Sequence, residues 1–327
     1  MSGRTPATRC SRAFVRGLRG HAGAALFLYS AAGCAADAGG GGDVLVVDGS
    51  SSLYPLSEAV AEEFAGKHPG SRVVVRTSGT GGGLRRFCEG EIDIAGASRA
   101  MTSAEAARCR TSGIRYLAVP VARDGVTLVA SPANEAVGCL TMAELRRLWE
   151  PGSGVRTWRD LRPAFPAEKI RLFGPGNDSG TFHFFTRVIV GRAGASRADH
   201  YQTEDDHLIA RGVAGNPWAL GYLGSAGYAA NEKLVRALAV DTGFGCVHPT
   251  PAGIGDGSYS PLARDLYIYV RNVYRNMYIM SENLYRFAEY YVSASAVLAE
   301  QVGYAPLAPA EYARSLALLE AAREESS

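Results

Sequence analysis

Short apolar runs alternate along the chain with longer segments of helical spacing. Three runs typical of buried strands are "DVLVVDGS" (43–50), "SRVVVRTSG" (71–79) and "IDIAGAS" (92–98). Between the first two, apolar residues at Leu56, Val60 and Phe64 predict a helix. "TGGGLRRFCEG" (80–90) is a glycine turn that opens a shorter helix. Strand and helix therefore alternate with short connections, which predicts an α/β domain on a parallel sheet.

The second half of the chain continues the alternation. The stretch "IRYLAVPVARDGVTLVAS" (114–131) predicts a long strand that crosses between two domains. Helical patterns cover 140–149, with Thr141 as the cap, and 181–190. "PLARDLYIYV" (261–270) predicts a strand that returns to the first domain.

The first 34 residues differ from the rest. Five arginines and no acidic residue precede the apolar run "AGAALFLYSAAGC", which is the pattern of a secretory signal peptide. The run is too short to span a membrane as a helix. Ala31–Cys34 resembles a bacterial lipoprotein box, so we predict a lipid anchor on Cys34, with plain secretion as the alternative. Residues 35–43 then form a glycine-rich tether, and the mature chain lies in the periplasm or on the outer face of the membrane.

Composition and cysteine usage narrow the class of protein. The 327 residues carry a net charge of +2 without a clustered basic surplus, which argues against a nucleic-acid partner. Export leaves Cys88, Cys109, Cys139 and Cys246, an even number in an oxidising compartment, which favours disulfides. Of the three possible pairings, Cys88–Cys109 would close a short local loop and leave Cys139 to join Cys246. No Cys-x-x-Cys pair is present and the histidines are scattered, so we predict neither a metal nor a cofactor.

Three clusters of glycine and hydroxyl residues stand between a predicted strand and a predicted helix: Gly49–Ser52, Ser78–Gly83 and Asn177–Thr181. Each one alone is explained as a helix cap. Together they suggest helix N-termini that converge at one edge of open sheets. At such an edge, free N–H groups and the positive end of the helix dipole bind anions.

Ser179, in "GPGNDSGTFHFF" (174–185), could instead be a catalytic nucleophile. A nucleophilic serine needs an oriented base, usually histidine. His183 follows four residues later on the predicted helix and would lie one turn along rather than face the hydroxyl. The chain also lacks the G-x-S-x-G elbow and the Lys-Ser/Thr of a P-loop. We therefore predict a binding protein rather than an enzyme, with a secreted serine hydrolase as the weaker alternative.

Five stretches, in order, resemble the PstS-type phosphate-binding proteins of bacterial ABC transporters: "DGSSSLYPLSEAVAEEF", "TSGTGGGLRRFCEGEIDIAGASRAM", "GPGNDSGTFHFFTRVI", "GVAGNPWALGYLGSAGY" and "SYSPLARDLYIYV". The resemblance runs from about Val44 to Val270. It implies a type II periplasmic-binding-protein fold, in which two α/β domains joined by two crossing strands close over one phosphate. It also implies delivery of that phosphate to a membrane permease, without catalysis. We expect one domain from residues 44–122 with 245–327, and the other from 123–244.

The resemblance also implies a set of ligand-binding residues. Ser52 and Leu53 would bind by hydroxyl and backbone N–H, and Thr80, or Ser78 if the turn shifts, would bind from the second glycine turn. The predicted hydroxyl and amide donors of the second domain are Ser179, Gly180 and Thr181.

Two positions depart from the family pattern. Arg99 stands where well-known members have an aspartate that accepts a phosphate proton, and Pro175 stands where they have an arginine. We therefore expect Arg99 to supply the guanidinium, and Asp178, Asp93 or a backbone carbonyl to accept the proton. A receptor or sensor for sulfate, arsenate or molybdate is the alternative, because the aspartate that discriminates against sulfate is not at its usual position.

Overall fold

The computed structural model describes residues 44–243, 245–272 and 281–324. The predicted signal peptide, Cys34 and the tether lie outside the described residues. The strands are β1 (Leu45–Gly49), β2 (Val73–Val75), β3 (Ile94–Ala97), β4 (Tyr116–Ala130), β5 (Cys139–Thr141), β6 (Arg171–Gly174), β7 (Tyr201–Gln202), β8 (Ala219–Gly224), β9 (Arg236–Ala237), β10 (Ala239–Asp241), β11 (Cys246–Val247) and β12 (Ala263–Arg271). The helices are α1 (Tyr54–Lys67), α2 (Gly79–Cys88), α3 (Ser103–Thr111), α4 (Met142–Trp149), α5 (Trp158–Leu161), α6 (Gly180–Ile189), α7 (Asp206–Ala214), α8 (Ser225–Asn231), α9 (Pro251–Asp256), α10 (Glu282–Gln301) and α11 (Pro309–Glu324).

One mixed sheet runs through the described residues in the order β2-β1-β3-β12-β4-β8-β6-β7, with β9 also paired to β4. Strands β1, β2 and β3 are mutually parallel, as are β6, β7 and β8. Strand β12 is antiparallel to both β3 and β4. A smaller sheet has the order β11-β10-β5. The α/β alternation that the sequence predicts is present.

Strand β4 changes its partner halfway along its length. From Tyr116 to Gly125 it pairs with β12, and from Val126 to Ala130 it pairs with β8. It is therefore the strand by which the β1-β3 part of the sheet continues into the β6-β8 part. A long strand is present where one was predicted, at 114–131, and the predicted strand at 261–270 is β12; that they cross between two domains stays a prediction.

Four apolar clusters of buried residues lie on the sheet among the described residues, and two of them are large. In the first, Phe64 of α1 and Phe287 of α10 meet edge to face, with ring centroids 5.1 Å apart, over strands β1, β3 and β12. The second is built around Trp149, Phe185 and Tyr222, which are all fully buried. The predicted division of the chain into domains at residues 123 and 245 stays a prediction.

Helix α2 lies against β1 at a distance that only glycine permits. A Cβ on Gly83 would lie 2.5 Å from Gly49 Cα, and one on Gly49 would lie 2.2 Å from Gly96 O. Gly49 also has φ +141°, in the region that favours glycine. The glycines that weaken the intrinsic helix propensity of α2 therefore allow its first turn to lie next to the end of β1.

Both predicted disulfides are present. Cys88–Cys109 joins the last residue of α2 to α3, and Cys139–Cys246 joins β5 to β11. Among the described residues, no helix combines the length and the apolar character that crossing a membrane requires.

The two disulfides should contribute unequally to stability, because they close loops of different length. The bonded cysteines are 107 residues apart in Cys139–Cys246 and 21 apart in Cys88–Cys109. On loop entropy, replacing both cysteines by alanine should lower the free energy of unfolding by about 4–5 kcal/mol for the first pair and about 3 kcal/mol for the second. Urea unfolding of the two double variants measures this. An equal or larger loss for Cys88→Ala/Cys109→Ala would contradict the loop-length argument.

Candidate functional site

A buried ion pair lies where β4 changes partner. Arg264 of β12 is directly opposite Asp124 of β4, and the two residues are 8% and 1% exposed. Arg264 donates from Nε and Nη2 to Asp124 Oδ2, at 3.0 and 2.7 Å. The other carboxylate oxygen accepts from the backbone N–H and the hydroxyl of Ser225, at 3.0 and 2.9 Å. Because both carboxylate oxygens are occupied, Asp124 holds the guanidinium in one orientation.

The remaining donors of Arg264 reach two of the predicted ligand-binding turns. The second hydrogen of Nη2 is shared between Ser52 Oγ, at 2.8 Å, and Thr181 Oγ1, at 3.2 Å, and Nη1 donates to Gly180 O at 2.9 Å. The guanidinium also lies over the ring of Phe184, 4.8 Å from its centroid. Residues from the start of α1 and the start of α6 therefore meet on a side chain from a third element.

The second glycine turn reaches the same place. Thr80 Oγ1 lies 3.2 Å from Ser98 Oγ and accepts from Ser98 N at 3.2 Å. A Cβ on Gly180 would lie 3.3 Å from Ser98 Oγ and 3.4 Å from Ser52 Oγ. The three predicted turns are thus neighbours in space, with Gly180 between the hydroxyls of Ser52 and Ser98.

The N-terminal turns of the three helices differ in how their amides are used. In α1, Leu53 N donates to Ser50 O at 3.0 Å, so the amide that we expected at the ligand is used within the turn. Ser179 caps α6, and its Oγ accepts from Thr181 N and Phe182 N at 3.1 and 3.3 Å.

Ser78 is the N-cap residue of α2, and its side chain forms no capping hydrogen bond. Helices α3, α4 and α5 have full capping boxes. The first N–H groups of a helix have no acceptor inside the helix. The first N–H groups of α2 are therefore available as hydrogen-bond donors to an anion.

Two cavities flank this cluster. One, of about 490 Å³, lies among Ser52, Ser78, Ser179 and Thr181 and is also lined by three acidic residues: Asp178, Glu204 and Asp206. The other, of about 400 Å³, is lined by the first turn of α2, Ser98, Gly180 and three arginines: Arg99, Arg187 and Arg264. Three acidic residues and no arginine or lysine line the first cavity, whereas the three arginines of the second are accompanied by one acidic residue, Asp178.

Arg99 lines the second cavity, but its guanidinium is engaged elsewhere. Its Nη1 and Nη2 donate to the two carboxylate oxygens of Glu105 in α3, both at 2.8 Å. Burial raises the pKa of Glu105, but hydrogen bonds from Arg99 and Thr102 outweigh it and bring that pKa to about 2. The guanidinium that contacts Ser52 and Thr181 belongs to Arg264, which the sequence analysis did not select.

A signal for Arg264 was present in the sequence. The tripeptide Ala-Arg-Asp occurs in both crossing strands, at 122–124 and 263–265. In antiparallel register, each arginine faces the aspartate of the other strand. Charged residues inside otherwise apolar strands are expected to be paired.

The other expected positions differ in their surroundings. Pro175 and Asp178 line the acidic cavity. Asp93, which we considered as a proton acceptor, accepts from Val46 N at 2.9 Å and pairs with Arg271. His183, the possible base of a hydrolase, has Nε2 2.8 Å from Asn177 O, while the hydroxyl oxygen of Ser179 caps α6. No group of three or more histidine, cysteine or acidic side chains suited to a metal ion occurs within the described ranges.

Known proteins share this architecture. A model of the PBP superfamily domain matches residues 35–295. Protein SphX of Synechocystis is 40% identical over 272 residues, which cover 82% of this chain and 80% of SphX. The phosphate-binding protein PstS of Staphylococcus saprophyticus is 34% identical over 249 residues, 76% of each chain. The crystal structure of a possible phosphate binding protein from Planctomyces limnophilus is 40% identical, with a TM-score of 0.70 over 85% of this chain and 98% of that one.

The fold is that of the type II periplasmic binding proteins, a class of solute-binding proteins. Within that class, the chain belongs to the PstS-type phosphate-binding proteins.

Asp206 should make stability depend on pH. Burial, together with the charges of Asp124, Asp205 and Glu204, raises its pKa from 3.8 to about 6. Between these values the folded chain keeps a proton that the unfolded chain has lost, so stability falls as pH rises through this window. The wild type should lose stability between pH 4 and pH 7, whereas Asp206→Asn should not. The difference in the free energy of unfolding, variant minus wild type, should therefore rise by about 1–2 kcal/mol from pH 4 to above pH 7, allowing for partial exposure.

Asp160 is a control of opposite sign for this experiment. Hydrogen bonds from the amides of Arg156 and Thr157 lower its pKa, so Asp160→Asn should lose stability relative to the wild type as the pH rises from acid to neutral. Urea unfolding of both variants from about pH 2 to pH 8 gives the two profiles, with the change for Asp160→Asn expected below about pH 4 and that for Asp206→Asn above it. A flat difference for Asp206→Asn would show that this carboxyl titrates normally.

Proposed function

We propose that this chain binds inorganic phosphate outside the cytoplasm and delivers it to the permease of an ABC transporter. The observation that carries the proposal is Arg264, a buried guanidinium fixed by Asp124 that reaches Ser52 and Thr181. The guanidinium donates to the oxygens of Ser52 and Thr181, which leaves the hydroxyl hydrogens for an anion, and the further N–H of its Nη1 suits a charge-assisted hydrogen bond to a phosphate oxygen. Membership of the PstS-type family supports the same ligand and the same transporter partner.

The hydroxyl groups around Arg264 are oriented as donors. Ser52 Oγ and Thr181 Oγ1 each accept from Arg264, and Ser179 Oγ accepts from two amides. A hydroxyl that already accepts still has its own hydrogen to donate. Together with the uncapped amides of α2, these hydrogens form a donor-rich environment for a tetrahedral oxyanion. These contacts support a ligand position at Ser52, Ser179, Gly180, Thr181 and Arg264, with Thr80 and Ser78 on the α2 side.

Discrimination against sulfate would come from a carboxylate. Asp178 and Asp206 line the cavity that also contains Ser52, Ser179 and Thr181. A carboxylate can accept the proton of HPO₄²⁻, whereas sulfate has none to give and would leave that acceptor unpaired, at a cost of about 1–3 kcal/mol. A receptor for another oxyanion is the alternative function, and these carboxylates favour phosphate over sulfate.

The proposal includes anchoring and closure. The signal-like N-terminus with Cys34 and the glycine-rich segment 35–43 support attachment to the membrane by a lipid after export. The crossing strands β4 and β12 support a hinge between the two predicted domains, because ligand-binding turns on both sides of these strands contact Arg264. The bound ion would be released unchanged, since the hydroxyl oxygen of Ser179 is committed to the α6 cap.

Substitution of Arg264 should therefore affect phosphate binding far more than substitution of Arg99. Arg264→Gln should weaken binding at least about a hundredfold, and Arg264→Lys, which keeps a charge beside Asp124, at least about tenfold. Arg99→Gln should change the affinity less than about threefold, because its fork is already bound to Glu105. Isothermal titration calorimetry with phosphate and with sulfate measures the affinities.

The outcomes separate the hypotheses. If Arg99→Gln lost phosphate binding and Arg264→Lys bound normally, Arg99 rather than Arg264 would be the arginine of the anion site. Sulfate binding as tight as phosphate binding would support the alternative receptor. Failure of the wild type to bind phosphate would end the proposal. Thermal unfolding of each variant confirms that a loss of binding is not a loss of fold.

A further inference from the structure

The basic cavity is larger than one phosphate needs. A phosphate ion has five heavy atoms and occupies about the volume of two to three water molecules, roughly 60–90 Å³. The cavity on the α2 side measures about 400 Å³ and shares Ser98, Gly180 and Arg264 with the proposed phosphate position. The cavity therefore has space for a further chemical group next to the phosphate position.

Arg187 is the arginine of this cavity without a paired carboxylate among the described residues, and it is exposed. Asp124 neutralises Arg264 and Glu105 neutralises Arg99. Over residues 44–243, 245–272 and 281–324, the ion pairs include no carboxylate within 4.0 Å of the Arg187 guanidinium.

Two observations place Arg187 within electrostatic reach of the site. Its guanidinium lies 5.5 Å from the centroid of the Phe184 ring, and Arg264 lies 4.8 Å from the same centroid. Burial and the positive charges of Arg264 and Arg99 lower the pKa of Arg187. Three guanidinium groups and one carboxylate, Asp178, line this cavity, so its lining favours an anionic group.

We propose that this cavity binds the second anionic group of a ligand whose first phosphate lies at Arg264. The ligand class is phosphate joined to another acidic group, of which inorganic pyrophosphate is the smallest member. The inference rests on the proposed phosphate site and extends it. Arg187 and the uncapped amides of α2 would bind the second group, and Phe184 would hold the guanidinium in place by cation–π contact.

The charge distribution gives the ligand a direction. Asp178 lines both cavities, but the cavity on the other side of the site is also lined by Glu204 and Asp206 and by no arginine or lysine, so it would repel a second anionic group more strongly. The second group is therefore expected on the Arg187 side.

Calorimetry with three ligands tests the inference: phosphate, pyrophosphate and glycerol 3-phosphate. Glycerol 3-phosphate carries one phosphate and a neutral remainder, so it controls for size. In the wild type, pyrophosphate should bind at least about tenfold more tightly than glycerol 3-phosphate. Arg187→Gln should lower pyrophosphate affinity about tenfold or more and phosphate affinity less than about threefold. Arg187→Lys should retain part of the pyrophosphate affinity, because it keeps the charge.

Arg110→Gln is the matched control, since Arg110 is an exposed arginine on α3 that does not line the cavity. Its affinities should equal those of the wild type. Equal binding of pyrophosphate and glycerol 3-phosphate, or an unchanged pyrophosphate affinity in Arg187→Gln, would overturn the inference and leave phosphate binding intact. If the wild type bound neither phosphate nor pyrophosphate, both the inference and the proposed function would be wrong.

Discussion

The buried ion pair between Arg264 and Asp124 is the interaction on which the site depends. Removing two charges from water costs several kcal/mol per ion, and the attraction between them offsets this only when hydrogen bonds satisfy both partners. Asp124 binds Ser225 with its second oxygen, and Arg264 extends to Ser52 and Thr181. The predicted ligand-binding turns complete the hydrogen bonding of the pair and so stabilise it in its buried position. The pair in turn holds these turns in place.

The register of β4 against β12 fixes this pair and a second one. On the same two strands, Arg123 donates to Asp265 at 3.0 Å, and its other nitrogens reach Glu311 of α11. A shift of one residue would turn every side chain of a strand to the opposite face and separate both pairs. The contact with α11 thus supports the alignment that places Arg264 in the site, although α11 does not line either cavity.

The three turns that the sequence selected lie together in the structure, but the guanidinium that contacts them is Arg264 rather than Arg99, and the ligand-binding residues stay a prediction. Arg99 follows β3 in a stretch that resembles a ligand-binding motif of the family, which made it the natural choice. A local partner, Glu105, lies only six residues away at the start of α3 and occupies its fork. Arg264 stands inside an apolar strand, and its partner Asp124 is 140 residues distant. The residues next to Arg99 and Arg264 in the sequence do not show which guanidinium contacts the hydroxyls and which pairs with an acidic residue of a helix cap.

What the sequence determined by itself was the local chemistry: the alternation of strands and helices, the glycine turns, the hydroxyl residues at helix starts, the Thr141 cap and the even set of four cysteines that form the disulfides. These follow from backbone geometry and side-chain spacing within a few residues. The tertiary structure alone decided which guanidinium meets the hydroxyls, which amides are already used and which arginine has no paired carboxylate among the described residues. Those features depend on the register of strands far apart in the chain, because a buried charge takes its partner from whatever the fold places opposite it.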